Sequence, residues 1–245
     1  MNRLASDTYA LHRPELHTAL TRGDREIDKL MQPNPRRFRA RQELAVQGDP
    51  LAHIFRLHEG WCARVRSLPD VRAQIITVSL PGDLVGLKGM FLAEQVDAIY
   101  ALSDVTALTV EQSRLREAMR ADPDVATRIS FQLVDEERRL HNRVVRLGQA
   151  DAGERIAAML VSLRARLVRA KLLPQDARAY RLPMTQVQIA DFLGLTPVHV
   201  NRVFRRLREE GLAKFGSGLV DLLDLDRLAR LALPVQDSFE RAAPR

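Results

Sequence analysis

From about Phe38 to Val110 the apolar positions come in short runs broken by turn residues. The runs are Glu43–Val46, His53–Leu57, Cys62–Val65, Gln74–Leu80, Ala98–Leu102 and Thr106–Val110. Between them stand Gln47-Gly48-Asp49-Pro50, Glu59-Gly60, Leu68-Pro69-Asp70, Pro81-Gly82-Asp83 and the stretch from Gly86 to Gly89. Short strands at spacings of about 8–12 residues predict a sandwich or barrel. The segment before them, to about Pro35, is polar and predicts short helices or loosely attached chain.

After Asp122-Pro123 the period becomes helical. Ile129, Leu133, Glu136, Leu140, Val144 and Leu147 recur every three or four residues, and Leu133, Leu140 and Leu147 are seven apart. Such a stripe either packs within its own subunit or forms a parallel dimer seam. Gly148 is a plausible stop and Asp151 a plausible N-cap for a following helix faced by Ile156, Leu160, Leu163 and Leu167. Pro174 to Pro183 predicts a loop before the last module.

Gln186 to Arg205 fits a helix-turn-helix. Ile189 and Leu193 pack the first helix inward, Ala190 suits the crossing point, and Gly194 suits a turn that needs positive φ. Thr196 caps the second helix, Pro197 fits its first position, and Val200, Val203 and Leu207 anchor it. Val198, His199, Asn201, Arg202, Arg205 and Arg206 are left facing outward, with no acid between Thr196 and Arg208. Arg, Asn and His suit base edges, and arginine suits the paired acceptors of guanine. Thr185 and Gln186 begin the first helix and suit phosphate contacts. Two apolar runs flank Gly216-Ser217-Gly218, which predicts a hairpin, or wing, where Lys214 would touch the DNA backbone. The competing reading is an ordinary helical pair with a solvated basic face, but caps, glycine and anchors agree at once.

Composition narrows the partner. The 245 residues are 46% hydrophobic and 28% charged, enough for a packed core. Lys+Arg is 38 against Asp+Glu 31, giving a net charge of +7, and the pI is about 10.2. That balance favours a polyanionic partner. The single cysteine, Cys62, excludes an intrachain disulfide and any centre needing several thiolates, and reads as a small buried hydrophobe. No apolar run approaches the ~18 residues of a membrane span, and Met1 to Arg13 lacks a signal-peptide core, so a cytoplasmic protein is expected. No nucleophile–base pair, metal-ligand spacing or phosphate loop marks an enzyme, and Asp135-Glu136-Glu137 beside Arg138-Arg139 reads as a solvated helix face.

These features together resemble the Crp/Fnr superfamily of bacterial transcription regulators over roughly Phe38 to Leu231. The resemblance rests on Pro81-Gly82-Asp83-Leu84-Val85-Gly86, the helix opening at Pro123-Asp124, Gly153-Glu154-Arg155-Ile156-Ala157 and the winged helix-turn-helix. It implies an α+β fold with an N-terminal jelly-roll-like β-roll of the cyclic-nucleotide-binding type, a long dimerisation helix and a C-terminal winged helix-turn-helix. The corresponding segments are 1–35 (polar), 36–122 (β-roll), 123–149 (dimerisation helix), 150–232 (winged helix) and 233–245 (tail). It also implies a homodimer on palindromic DNA, RNA polymerase as a partner, and Arg202 as the reader of a half-site guanine.

The family's effector pocket would fall on Gly86, Leu87, Lys88, Gly89, Asp97, Ala98, Leu140 and His141. In the cyclic-AMP branch a glutamate stands where Leu87 is and an arginine where Asp97 is, so cyclic AMP is disfavoured. An iron–sulfur cluster is disfavoured by the lone Cys62. Haem iron has His53, His58 and His141 as conceivable ligands, but no motif singles one out. No cofactor is therefore predicted. Branch patterns place glutamate at Val198 and Ser-Arg or Gly-Arg at Asn201-Arg202, so a different half-site is expected. The alternative function is a ligand- or partner-binding dimer whose winged helix docks protein.

Overall fold

The structure, a computed structural model, describes residues 14–69 and 73–232. The tail 233–245 and the first thirteen residues of the polar segment lie outside them. The chain divides into two compact units, Met1–Glu137 and Arg138–Arg245, and the division falls inside one long helix.

In the first unit the strands are β1 (Arg36–Phe38), β2 (Glu43–Ala45), β3 (His53–Glu59), β4 (Cys62–Ser67), β5 (Ala73–Ser79), β6 (Leu84–Val85), β7 (Ala98–Ala101) and β8 (Val105–Glu111). They form two antiparallel sheets, ordered β1-β8-β3-β6 and β2-β7-β4-β5. The sandwich follows from alternation. Phe55 and Leu57 of β3 point to the same side and are buried with Leu44, Cys62, Ile99, Ala101 and Val105 between the sheets. Ile54 and Val110, paired across β3 and β8, face the other way. They join Leu84, Leu87, Met90 and residues from three helices in a second core. These helices are α1 (Pro14–Leu30), α2 (Gln112–Ala121) and α3 (Pro123–Gln149).

The described part of the polar N-terminal segment is thus not loosely attached. Helix α1 buries Leu20 and Ile27 and places Asp24 in the interior. The Asp24 carboxylate accepts from Arg56 Nη2 and Arg128 Nε, both at 2.9 Å, which ties α1 to β3 and to α3. Its polarity misleads because two of its acids, Asp24 and Asp28, pair with arginines far along the chain. Gln132 of α3 then acts as a strand edge would. Its amide donates to Leu84 O at 2.6 Å and accepts from Leu84 N at 3.1 Å.

The second unit contains the rest of α3, then α4 (Ala152–Arg169), β9 (Ala179–Arg181), α5 (Gln186–Leu193), α6 (Pro197–Glu209), β10 (Ala213–Gly216), β11 (Leu219–Leu222) and α7 (Leu225–Leu231). Helix α3 continues through Gly148 to Gln149, so that glycine does not stop it. Asp151 caps α4 in a reciprocal capping box with Glu154. Strands β10, β11 and β9 form a small antiparallel sheet. Ser217 and Gly218, both at positive φ, make the two-residue turn between β10 and β11, as a type I′ hairpin demands.

Candidate nucleic-acid interface

The reader is assembled by local chemistry. Thr185 and Gln188 form a capping box at the start of α5. Gly194 ends that helix in the left-handed conformation at φ 64°, where a side chain would be strained. Thr196 Oγ1 accepts from His199 N at 3.2 Å and Pro197 takes the first turn of α6, so the Thr196 hydroxyl already serves as a cap. Val200, Val203, Phe204 and Leu207 bury the inner face. The Phe204 ring stacks on Phe215 of β10 at 4.8 Å between centroids, which fixes the wing to the reader.

The outer face then follows from the 3.6-residue period. Val198, Arg202 and Arg205 lie in line opposite the buried residues, all exposed. Among the described residues Arg202 and Arg205 make no ion pair. Asn201, on one flank, donates its amide to Gln186 Oε1 at 3.3 Å, so two predicted contact residues hold each other. On the other flank are His199 and Arg206. The Arg206 guanidinium lies over Gly153, where an added Cβ would come within 2.0 Å of Nη2. Arg206 is therefore partly engaged with α4. Lys214 is exposed on β10.

Arg155, which the sequence offers only as part of the motif from Gly153 to Ala157, fastens α5 to the long helix. Its guanidinium donates to Leu147 O at 2.8 Å, Ala150 O at 3.0 Å and Leu193 O at 3.4 Å. It thus closes the carboxyl end of α3 and joins it to α5. Arg143 of α3 adds a cation–π contact 4.9 Å above the Phe192 ring. The final turns of α3 accordingly belong to the second unit.

Part of the predicted dimer stripe is taken up within the subunit. Ile129 is fully buried in its own subunit's core and Leu133 packs beside it. Glu136 pairs with Arg64 of β4. Leu140 is half-buried, and Leu147 lies against Gly194. The exposed stripe runs one residue later, through Ser130, Val134, Glu137, His141, Val144 and Gly148, alternating four and three residues apart. Val134 and Val144 on it are 58% and 66% exposed. Of the predicted seam only Val144 lies on this line.

The predicted effector residues are mostly used internally. Leu87 faces the second core and Ala98 is buried. A Cβ on Gly86 would meet Leu51, and one on Gly89 would meet Gln95 and Gln112, because the backbone passes close to both. Asp97, whose side chain is only 3% exposed, is surrounded by cations. Arg66 Nε lies 2.7 Å from Oδ1, and Arg64 Nε and Lys88 Nζ lie 3.1 and 3.2 Å from Oδ2. The signal for this cluster was Arg64 and Arg66, two arginines on one strand.

Cys62 is buried between the sheets, and burial, with the nearby Asp83 carboxylate, pushes its thiol up to about 12. Among the described residues no group of three or more His, Cys, Asp or Glu side chains comes together as a metal site, and no described helix is long and apolar enough to cross a membrane.

Comparison with known proteins agrees with this geometry. Residues 35–122 match the cyclic nucleotide-binding domain, and residues 154–231 match the Crp-like helix-turn-helix domain. The chain is 32% identical over 187 residues to the transcriptional activator protein anr of Pseudomonas aeruginosa, covering 76% of this chain and 75% of that protein. It is 29% identical over 199 residues to the nitrogen fixation regulation protein FixK of Bradyrhizobium diazoefficiens, covering 80% of each. The structure of FixK2 from Bradyrhizobium japonicum superposes with a TM-score of 0.73 at 28% identity, over 81% of this chain and 96% of that one.

Proposed function

The chain belongs to the Crp/Fnr family of transcription regulators, and we propose that it binds a palindromic operator as a homodimer, with α6 of each subunit in a major groove. The observation that carries this reading is the outer face of α6. Val198, Arg202 and Arg205 stand in line on a helix clamped by Val200, Phe204 and Leu207. Arg202 reads guanine through its paired N–H groups. Arg205, Lys214 and the start of α5 at Thr185 and Gln186 meet phosphates, and Arg206 contributes from its place over Gly153. The exposed stripe of α3 around Val134, His141 and Val144 supplies the seam. Two recognition helices would then lie about 34 Å apart, one turn of DNA. RNA polymerase is the partner at promoters, and the cytoplasm is where such a regulator works.

We further propose that the β-roll takes no cyclic nucleotide. Asp97 already pairs with Arg64, Arg66 and Lys88, and Leu87 is committed to the core. An added phosphate would meet a buried carboxylate of like charge.

Selection of random duplexes by the purified, effector-free protein tests the central reading. Enrichment of paired, inverted half-sites is expected. Arg202→Ala should weaken the selected operator by about 1–3 kcal/mol and relax preference at one base pair. Equal weakening on operator and random DNA would refute base reading by Arg202. Failure to enrich any sequence would refute the operator.

A further inference from the structure

Arginines, asparagine and histidine account for hydrogen bonding by α6, but one side chain on its outer line cannot hydrogen-bond. Val198 is 76% exposed, more than any other large hydrophobic residue described. It occupies the second position of α6, directly after Pro197 and before the buried Val200. It also stands one turn before Arg202, on the same line of the helix. A branched hydrocarbon at this point has no role in the core of its own unit. The flanking polar groups do not cover it, since Asn201 turns toward Gln186.

The major groove offers one large apolar group, the C5-methyl of thymine. The other principal edge groups are donors and acceptors that valine cannot satisfy and would desolvate, and the C5–H of cytosine is a much smaller apolar edge. We propose that Val198 is a specificity-determining residue that reads a thymine methyl group beside the guanine read by Arg202. Four residues of helix advance about 6 Å, and base pairs are stacked about 3.4 Å apart, so the thymine lies within roughly two base pairs of that guanine. This inference rests on the proposed placement of α6 in the major groove and adds the base chosen by its first turn.

The test isolates a single methyl group. In the operator obtained by selection, each thymine of the half-site is replaced in turn by deoxyuridine, and affinity is measured at fixed salt with the full-length protein. Removing one buried methyl is worth a loss of roughly fourfold per half-site, and about fifteenfold when both half-sites are changed. One thymine near the guanine should show this loss, and the rest should not. Val198→Ala should bind the thymine operator several-fold less well and become indifferent to uracil there, while keeping its guanine preference through Arg202. An operator with no methyl-sensitive thymine near the guanine overturns this inference and leaves the operator reading intact. So does a Val198→Ala protein as sensitive to uracil as the original. Selection that enriches no duplex overturns the DNA-reading role of α6 and this inference with it.

Discussion

Removing the Asp97 carboxylate should both destabilise the β-roll and create an anion site. In Asp97→Ala, three cations lose the group that lies 2.7–3.2 Å from each. Arg64 matters most, because its side chain is only 12% exposed. Arg66 and Lys88 are partly exposed and can turn to water, so their pairs contribute at most ~1 kcal/mol each. Truncating one partner of a buried pair costs about 3–5 kcal/mol, and Arg64 keeps Glu136 on α3, so the lower end, about 3 kcal/mol, is expected. The chain's one tryptophan, Trp61, is buried just before β4 and reports on this unit. With a urea slope of about 2 kcal/mol/M, its fluorescence transition should move down by roughly 1.5 M. Inorganic phosphate should then restore about 1.4 kcal/mol at ten times its dissociation constant, whereas chloride at equal ionic strength should not. A loss below about 1 kcal/mol would mean that the buried charges do not depend on one another. Equal phosphate stabilisation of the unaltered protein would mean that Asp97 does not fill an anion site.

Three further outcomes are expected. Burial alone would raise the Asp24 pKa, but Arg56 and Arg128 outweigh it and hold the carboxyl below its ordinary value. Its stabilisation is therefore complete above the unfolded-state value of about 3.9 and is lost as pH falls through the lower folded-state value. Asp28, pushed up by burial, acts in the opposite sense, so the acid-side slope is read as the difference between the unaltered protein and Asp24→Asn by Trp61 fluorescence. An unchanged slope would contradict the pairing. Arg155→Ala should lower the stability of the reading unit by about 2 kcal/mol, since it removes charge-assisted bonds to the ends of α3 and α5. Calorimetry and operator affinity check this, and an unchanged transition would refute the staple. Cys62 should resist a thiol reagent in the folded protein and react once urea unfolds it, because burial keeps the thiolate scarce. Rapid labelling of folded protein would contradict that placement.

The helix-turn-helix was legible because its determinants are local. Thr185, Gly194, Thr196 and Pro197 act on backbone groups within a few residues, and the spacing of Ile189, Val200, Val203 and Leu207 sets the faces. The β-roll was legible for a similar reason, since its strands are bounded by their own turn residues.

The charged clusters were not legible. Asp24 meets Arg56 and Arg128 from 32 and 104 positions away, and Arg64 reaches Glu136 across 72. A sequence shows that such residues are charged but not which are withdrawn from water together, so α1 read as short helices or loosely attached chain, and the cations around Asp97 were not seen. The stripe of α3 was legible only in part. A three-and-four periodicity reveals that a helix has an apolar face but not what covers it. Ile129 and Leu133 are covered by the subunit's own sheet and helices, which leaves the line through Val134, His141 and Val144 outward. Backbone chemistry and periodicity, carried by neighbours in the chain, determined the elements and the reader. Burial depends on which distant elements pack together, so only the tertiary structure decided which charges are paired and which face of the long helix remains open.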